Sequence, residues 1–265
     1  MLKRSFILMA YSLKLLLIIL ITLPVSLAII LLGPFDPLGK RSYRISRLWT
    51  WGILKAGGIR VRVKGLERLD PSRQYIFMAN HQSNIDIPVL VRSLSQFQLR
   101  WVAKKELLFV PLFGWAMWAS KHIVVDRTNR SQAMASLRKA KERIEGGISV
   151  VLFPEGTRSA DGQLLPFKSG GFILAVKTQT PIVPIAINGS GALLPRGDWR
   201  IRGGEVEVVV SEPIVLDRYR RGGIRSLLNR VRAVVESQLQ RGGREAADGT
   251  EKIHSPKAAE ARAER

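Results

Sequence analysis

Asn80-His81-Gln82-Ser83-Asn84-Ile85-Asp86 follows directly on the apolar run Tyr75-Ile76-Phe77-Met78-Ala79, and this junction decides the fold. On a continuous helix the step from His81 to Asp86 turns roughly 500°, which would point the two side chains about 140° apart. They can meet only across a turn. The stretch therefore reads as a strand over 75–79 that stops at Asn80 and a helix that opens near Ile85. That arrangement would leave His81 exposed at the rim, with Asp86 in the first helical turn. A carboxylate bonded to one ring nitrogen fixes the tautomer and leaves the other nitrogen free to accept a proton. No nucleophile stands beside this base in the sequence.

Outward from this junction, strand and helix patterns alternate beyond Gly57-Gly58, as in an α/β core. Strands are predicted over 60–63, 75–79, 99–102, 122–125, 149–153, 182–187 and 206–210. Ser131 reads as the N-cap of a helix with Leu137, Ala140 and Ile144 inward, stopped by Gly146-Gly147. A last amphipathic helix carries Ile224, Leu227, Leu228, Val231, Val234, Val235 and Leu239 on one face. From Arg241 onward no apolar periodicity remains, which predicts a disordered tail. The chain thus divides into an N-terminal segment 1–58, a core domain 59–240 and a tail 241–265.

The chain has 265 residues, 46% of them hydrophobic, enough for one sizeable core and an accessory segment. With 42 basic and 21 acidic side chains the formal charge is +21, which calls for a polyanionic partner. The absence of cysteine excludes disulfides, cysteine-ligated zinc and cysteine nucleophiles. His81, His122 and His254 are too scattered to suggest a metal site. Phe167 stands where a P-loop beginning at Gly162 would need its second glycine, and Gly189-Ser190-Gly191 lacks the third glycine of a dinucleotide loop, so both read as turns.

Nucleic acid and membrane are the two usual polyanions, and the N-terminus favours the membrane. Residues 15–35 carry no charge and are dominated by Leu and Ile, long enough to cross a hydrocarbon layer. A cleaved signal peptide is disfavoured because the apolar run continues past the Ser26-Leu27-Ala28 triplet through Leu32. Pro24 interrupts the run, and basic residues flank it: Lys3, Arg4 and Lys14 before, Lys40, Arg41, Arg44 and Arg47 after. A single span would place one basic flank outside, against the positive-inside tendency. In the next segment Lys40, Arg44 and Arg47 form one stripe and Ile45, Leu48, Trp49 and Gly52 the adjacent one, the pattern of a helix in the headgroup plane. The expectation is a helical hairpin inserted into the cytoplasmic leaflet of an anionic inner or plasma membrane, with a transmembrane anchor as the alternative and with no nucleic-acid partner.

The His81-x4-Asp86 pair resembles the signature of the glycerolipid acyltransferases, specifically the 1-acyl-sn-glycerol-3-phosphate acyltransferases. Three further blocks match in order: Ile123-Val124-Val125-Asp126-Arg127-Thr128-Asn129-Arg130, Phe153-Pro154-Glu155-Gly156-Thr157-Arg158-Ser159 and Val183-Pro184-Ile185. The resemblance spans about residues 60–215. It implies a mixed sheet flanked by helices, an arginine that contacts phosphate in the second block, and acceptor binding by the third. Lys104 looks like a family lysine placed near the acyl-transfer centre.

The residues at strand ends point the same way. Arg127 and Arg130 follow the strand ending at Val125, and Arg158 follows the strand ending at Phe153. Ligands of α/β sheets gather outside the carboxyl ends of strands, so these guanidiniums are expected to converge with His81 as a phosphate clamp. Gly156 permits φ > 0 and a tight backbone approach, and Thr157 can present a hydroxyl or an amide to an anion. Glu155 is either a second base or a carboxylate that holds one of the arginines.

With His81 and Asp86 as catalytic pair, the simplest chemistry is direct attack of a lysolipid hydroxyl on an acyl thioester, without a resident cofactor or metal. The expected acceptor is lysophosphatidic acid and the donor acyl-CoA or acyl carrier protein. Another lysolipid, such as a lyso-ornithine lipid, is an alternative acceptor. A non-catalytic basic adaptor for membrane or nucleic acid is the alternative from a different class.

Overall fold

A computed structural model describes residues 2–125, 130–219 and 223–254. Among the described residues, seven strands form one sheet in the order β1-β7-β6-β2-β5-β3-β4. They are β1 (Ile59–Lys64), β2 (Ile76–Ala79), β3 (Leu99–Lys104), β4 (Ile123–Val125), β5 (Ser149–Leu152), β6 (Ile182–Asn188) and β7 (Gly204–Val210). The five strands β6, β2, β5, β3 and β4 run parallel; β7 is antiparallel to β6, and β1 is parallel to β7. All seven fall where the apolar runs predicted them, with ends displaced by at most two residues.

The central strands are covered on both faces, so they read as continuous apolar runs rather than alternations. In β2 Phe77 and Ala79 enter one core and Ile76 and Met78 the other. The first core lies under α1 (Leu2–Leu32), α2 (Lys40–Gly57) and α3 (Asp86–Ser93). The second lies under α5 (Arg130–Glu145), α6 (Gly170–Thr178) and α8 (Ile224–His254). Two short helices, α4 (Phe113–Ala119) and α7 (Ser190–Leu193), complete the set. The edge strand β1 is blunted by charge: Arg62 and Lys64 pair with Glu205 and Glu207 on β7, each at 2.8 Å. Pro184 is accommodated inside β6 in register with Met78 on β2, and its carbonyl still accepts the Ser211 N–H beyond β7 at 3.0 Å.

The N-terminal pair of helices does form, and the stretch Ser5–Phe35, most of it in α1, is long and apolar enough to cross a membrane by length and composition. It is nonetheless docked on the core domain. Lys14 Nζ donates to the carbonyls of Gly57 (3.2 Å) and Ile201 (3.1 Å), and Trp49 on α2 donates to Thr22 on α1 (2.9 Å). The connection is fixed as well. Asp36 Oδ2 accepts from the main chain and hydroxyl of Ser42 at the start of α2, and fully buried Arg100 on β3 donates to the Leu38 carbonyl. Asp36 is held below its ordinary value: burial works to raise it, and the Ser42 hydrogen bonds outweigh that.

Two expectations need correction. Ser131 is not an N-cap, because α5 already includes Arg130. The segment predicted to be disordered begins inside α8, which continues without a break at 240 as far as His254. Residues 255–265 lie outside the described residues.

Candidate active site

The turn between β2 and α3 is organised by one carboxylate oxygen. Asp86 Oδ2 lies 2.8 Å from each of three nitrogens: Nδ1 of His81, the main-chain N–H of Gln82 and that of Ser83. Asp86 is fully buried in the first turn of α3. An oxygen that accepts two backbone N–H groups is an acceptor for the ring as well, so Nδ1 carries the proton and Nε2 is left as the base. Ser83 fixes the turn from the other side, its hydroxyl donating to the Leu194 carbonyl at 2.7 Å. Asn80 extends the β2–β6 ladder with its side chain, donating to Ile187 O and accepting from Ile187 N at 3.0 and 2.7 Å.

The strand-end segment 153–159 closes around His81. The Phe153 ring stacks on the imidazole, with centroids 3.8 Å apart and planes 7° from parallel. Oε1 of Glu155 accepts the His81 main-chain N–H at 2.7 Å, and the Ser159 N–H donates to the His81 carbonyl at 2.8 Å. His81 is consequently less exposed than a rim position implied: its side chain retains 15% of its surface, because stacking covers one ring face.

Glu155 also departs from expectation. It is 2% exposed and pairs with no arginine among the described residues; its second oxygen accepts the Leu165 N–H at 2.9 Å. Burial pushes its carboxyl up to about 7, against the pull of the Leu165 and His81 amides. The 164–165 loop is held in turn by Arg232 on α8, which donates to both carbonyls at 3.1 and 2.9 Å. Nothing in the sequence distinguished Arg232 from the other basic residues.

The rest of the third block forms a tight turn. Gly156 N–H donates to Phe153 O at 3.0 Å, Pro154 occupies the second turn position, and Gly156 adopts φ +74°. The half-buried Thr157 and Arg158 follow on the same rim as His81. The Arg158 carbonyl accepts from Arg196 at 3.1 Å, while its own guanidinium makes no hydrogen bond among the described residues. Lys104 is exposed at the carboxyl end of β3, level with Val125 at the end of β4. Arg127 and the side chain of Arg130 lie outside the described residues. The site thus unites His81, Asp86, Glu155 and Phe153 in direct contact, and sets Arg158, Thr157 and Lys104 along the same edge of the sheet.

A neutral imidazole with its proton on Nδ1 and its main chain held on both sides can take a proton from an alcohol and return it. Such a ring is suited to general acid and base catalysis without a covalent step of its own.

A family model described as Acyltransferase matches residues 60–188. A chloroplastic 1-acyl-sn-glycerol-3-phosphate acyltransferase of Brassica napus is 37% identical over 172 residues, covering 64% of this chain and 49% of that protein. The human 1-acyl-sn-glycerol-3-phosphate acyltransferase alpha is 34% identical over 190 residues, covering 71% of this chain and 67% of its own. The chain spans about half to two thirds of the length of the curated relatives it matches. Among solved structures, the 1-acyl-sn-glycerophosphate (LPA) acyltransferase of Thermotoga maritima superposes with a TM-score of 0.75 at 25% identity, covering 90% of this chain and 96% of that one.

Proposed function

Because the chain belongs to the acyltransferase family of the 1-acyl-sn-glycerol-3-phosphate acyltransferases, we propose that it transfers an acyl chain from a thioester to the sn-2 hydroxyl of lysophosphatidic acid, giving phosphatidic acid. The observation that carries this reading is the His81–Asp86 contact at 2.8 Å inside a turn gripped by Glu155 and Ser159.

The hydroxyl gives its proton to His81 Nε2 as its oxygen bonds to the thioester carbonyl carbon, and Asp86 stabilises the imidazolium that forms. When the carbon–sulfur bond breaks, the thiolate leaves and takes that proton, restoring the neutral ring. Positioned base catalysis of this kind contributes about 10² to 10⁴ in rate. The remainder comes from holding acceptor and thioester together and from a donor to the developing oxyanion, Lys104 or a backbone amide. Arg127, Arg130, Thr157 and Arg158 serve as the clamp on the acceptor phosphate, with Gly156 giving the backbone room to approach it. No resident cofactor is required, and acyl-CoA or acyl carrier protein supplies the acyl group.

The donor and acceptor meet at a membrane. We assign the α1–α2 pair to the cytoplasmic leaflet, α1 buried among acyl chains and α2 at the headgroups. Phe6, Leu16, Leu31 and Phe35 on the α1 side, with Trp115 and Trp118 on α4, are all more than half exposed, as a lipid-facing surface requires.

The test is a panel of lysolipids offered to the purified protein with an isotope-labelled acyl thioester, followed by mass spectrometry of the lipids. Labelled phosphatidic acid is expected. Label in an ornithine lipid would reassign the acceptor. No label in any lipid, together with salt-sensitive nucleic-acid binding, would replace the enzyme by an adaptor.

A further inference from the structure

Between the first half of α2 and the last turn of α3 opens a groove of about 400 Å³, lined by Arg44, Arg47, Leu48, Trp51, Arg92 and Ser95. It lies at the far end of α3 from Asp86, so it is separate from the His81–Asp86 pair. All three arginines are exposed, no carboxylate lines the groove, and none of the three is in an ion pair among the described residues. Where a carboxylate lies near, exposed cations elsewhere on the surface pair with it, as Arg62, Arg73 and Arg200 do. Three guanidiniums that face one space repel one another, and an anion in that space relieves the repulsion.

We propose that this groove is a binding site for the phosphate of an anionic phospholipid, distinct from the catalytic site. Guanidinium forks suit phosphate oxygens through paired, charge-assisted hydrogen bonds. The apolar neighbours select a lipid over a soluble phosphate: Leu48 is 70% and Trp51 56% exposed at the groove, on the helix assigned above to the headgroup layer. Arg92 belongs to the core domain and Arg44 and Arg47 to the hairpin, so an occupied site would bind the two parts to the same lipid. The proposal deepens the membrane assignment made above and rests on it.

The full-length protein would be titrated with vesicles of pure phosphatidylcholine and of phosphatidylcholine with phosphatidylglycerol, at fixed ionic strength. The Arg44→Gln, Arg47→Gln, Arg92→Gln variant is expected to lose about tenfold or more of the preference for the anionic vesicles, with binding to neutral vesicles retained through α1. An Arg138→Gln, Lys139→Gln, Lys177→Gln control removes the same charge from the opposite face and is expected to change the preference by less than about threefold. Equal loss in both variants would reduce the groove to bulk charge and overturn the proposal. So would loss of the preference when inorganic phosphate replaces chloride, since the site would then take free phosphate. Failure of the unaltered protein to bind either vesicle would sink the membrane assignment itself, whereas equal binding to both would sink only the groove.

Discussion

The main-chain N–H of His81 donates to Oε1 of Glu155 at 2.7 Å, while Oε2 of the same carboxylate holds Leu165. A conspicuous motif carboxylate therefore acts through the backbone of the base. In Glu155→Gln the amide oxygen can serve one of the two N–H groups, but the NH₂ must face the other, leaving a buried donor unpaired at about 1–3 kcal/mol. The expected result is a fall in kcat of about tenfold or more with acceptor KM nearly unchanged. A rise in KM alone would mean that Glu155 touches the acceptor.

The same carboxylate makes stability depend on pH. Burial raises Glu155 from 4.5 to about 7, so between those values the folded chain holds a proton that the unfolded chain has released. Stability contributed by that proton is complete below about pH 4.5 and is lost as pH rises through about 7. Relative to Glu155→Gln, the unaltered protein should thus lose stability across this window, by up to about 3 kcal/mol. Urea midpoints of the two proteins measured in parallel from pH 5 to 8 check this, and parallel curves would refute it.

Asp86 both orients the ring and caps the turn, since one oxygen accepts from His81, Gln82 and Ser83. Asp86→Asn keeps the shape and removes the charge that stabilises the imidazolium. We expect kcat to drop by about 10² to 10⁴, with a circular dichroism spectrum like that of the unaltered protein. Retention of full activity would exclude the dyad.

His81→Ala and Arg158→Ala should separate chemistry from binding. The first is expected to abolish transfer while acceptor binding, followed by isothermal titration, stays within about threefold. The second removes a proposed clamp on the acceptor phosphate and should mainly raise KM, by about ten- to a hundredfold for a lost charge-assisted contact of about 1.5–3 kcal/mol. The reverse pattern would exchange their roles.

Arg100 ties the hairpin to the sheet by donating to Leu38 from a fully buried position on β3. Burial pushes its guanidinium down to about 10, which still leaves it charged at neutral pH. Arg100→Met should leave the Leu38 carbonyl without its donor and loosen the connection. Faster tryptic cleavage after Lys40 and Arg41 is the expected readout, and an unchanged cleavage rate would show that the other contacts, the Asp36–Ser42 hydrogen bonds among them, suffice to hold the connection.

The sequence by itself determined the sheet and the turn that joins His81 to Asp86. Apolar runs of strand length alternate with helix-period segments, and strands covered on both faces must be apolar throughout, so β2, β5 and β6 were legible from composition. The need for His81 and Asp86 to meet across a turn likewise followed from helix geometry alone. Tertiary structure decided what those residues touch. Whether Glu155 would hold an arginine or a backbone amide, and whether Phe153 would cover the imidazole, depended on how β5 lies against β2. Arg232 and Arg100 gained their roles only from where α8 and β3 bring them, because a charged side chain carries no periodic signal and its partner is fixed by distance in space.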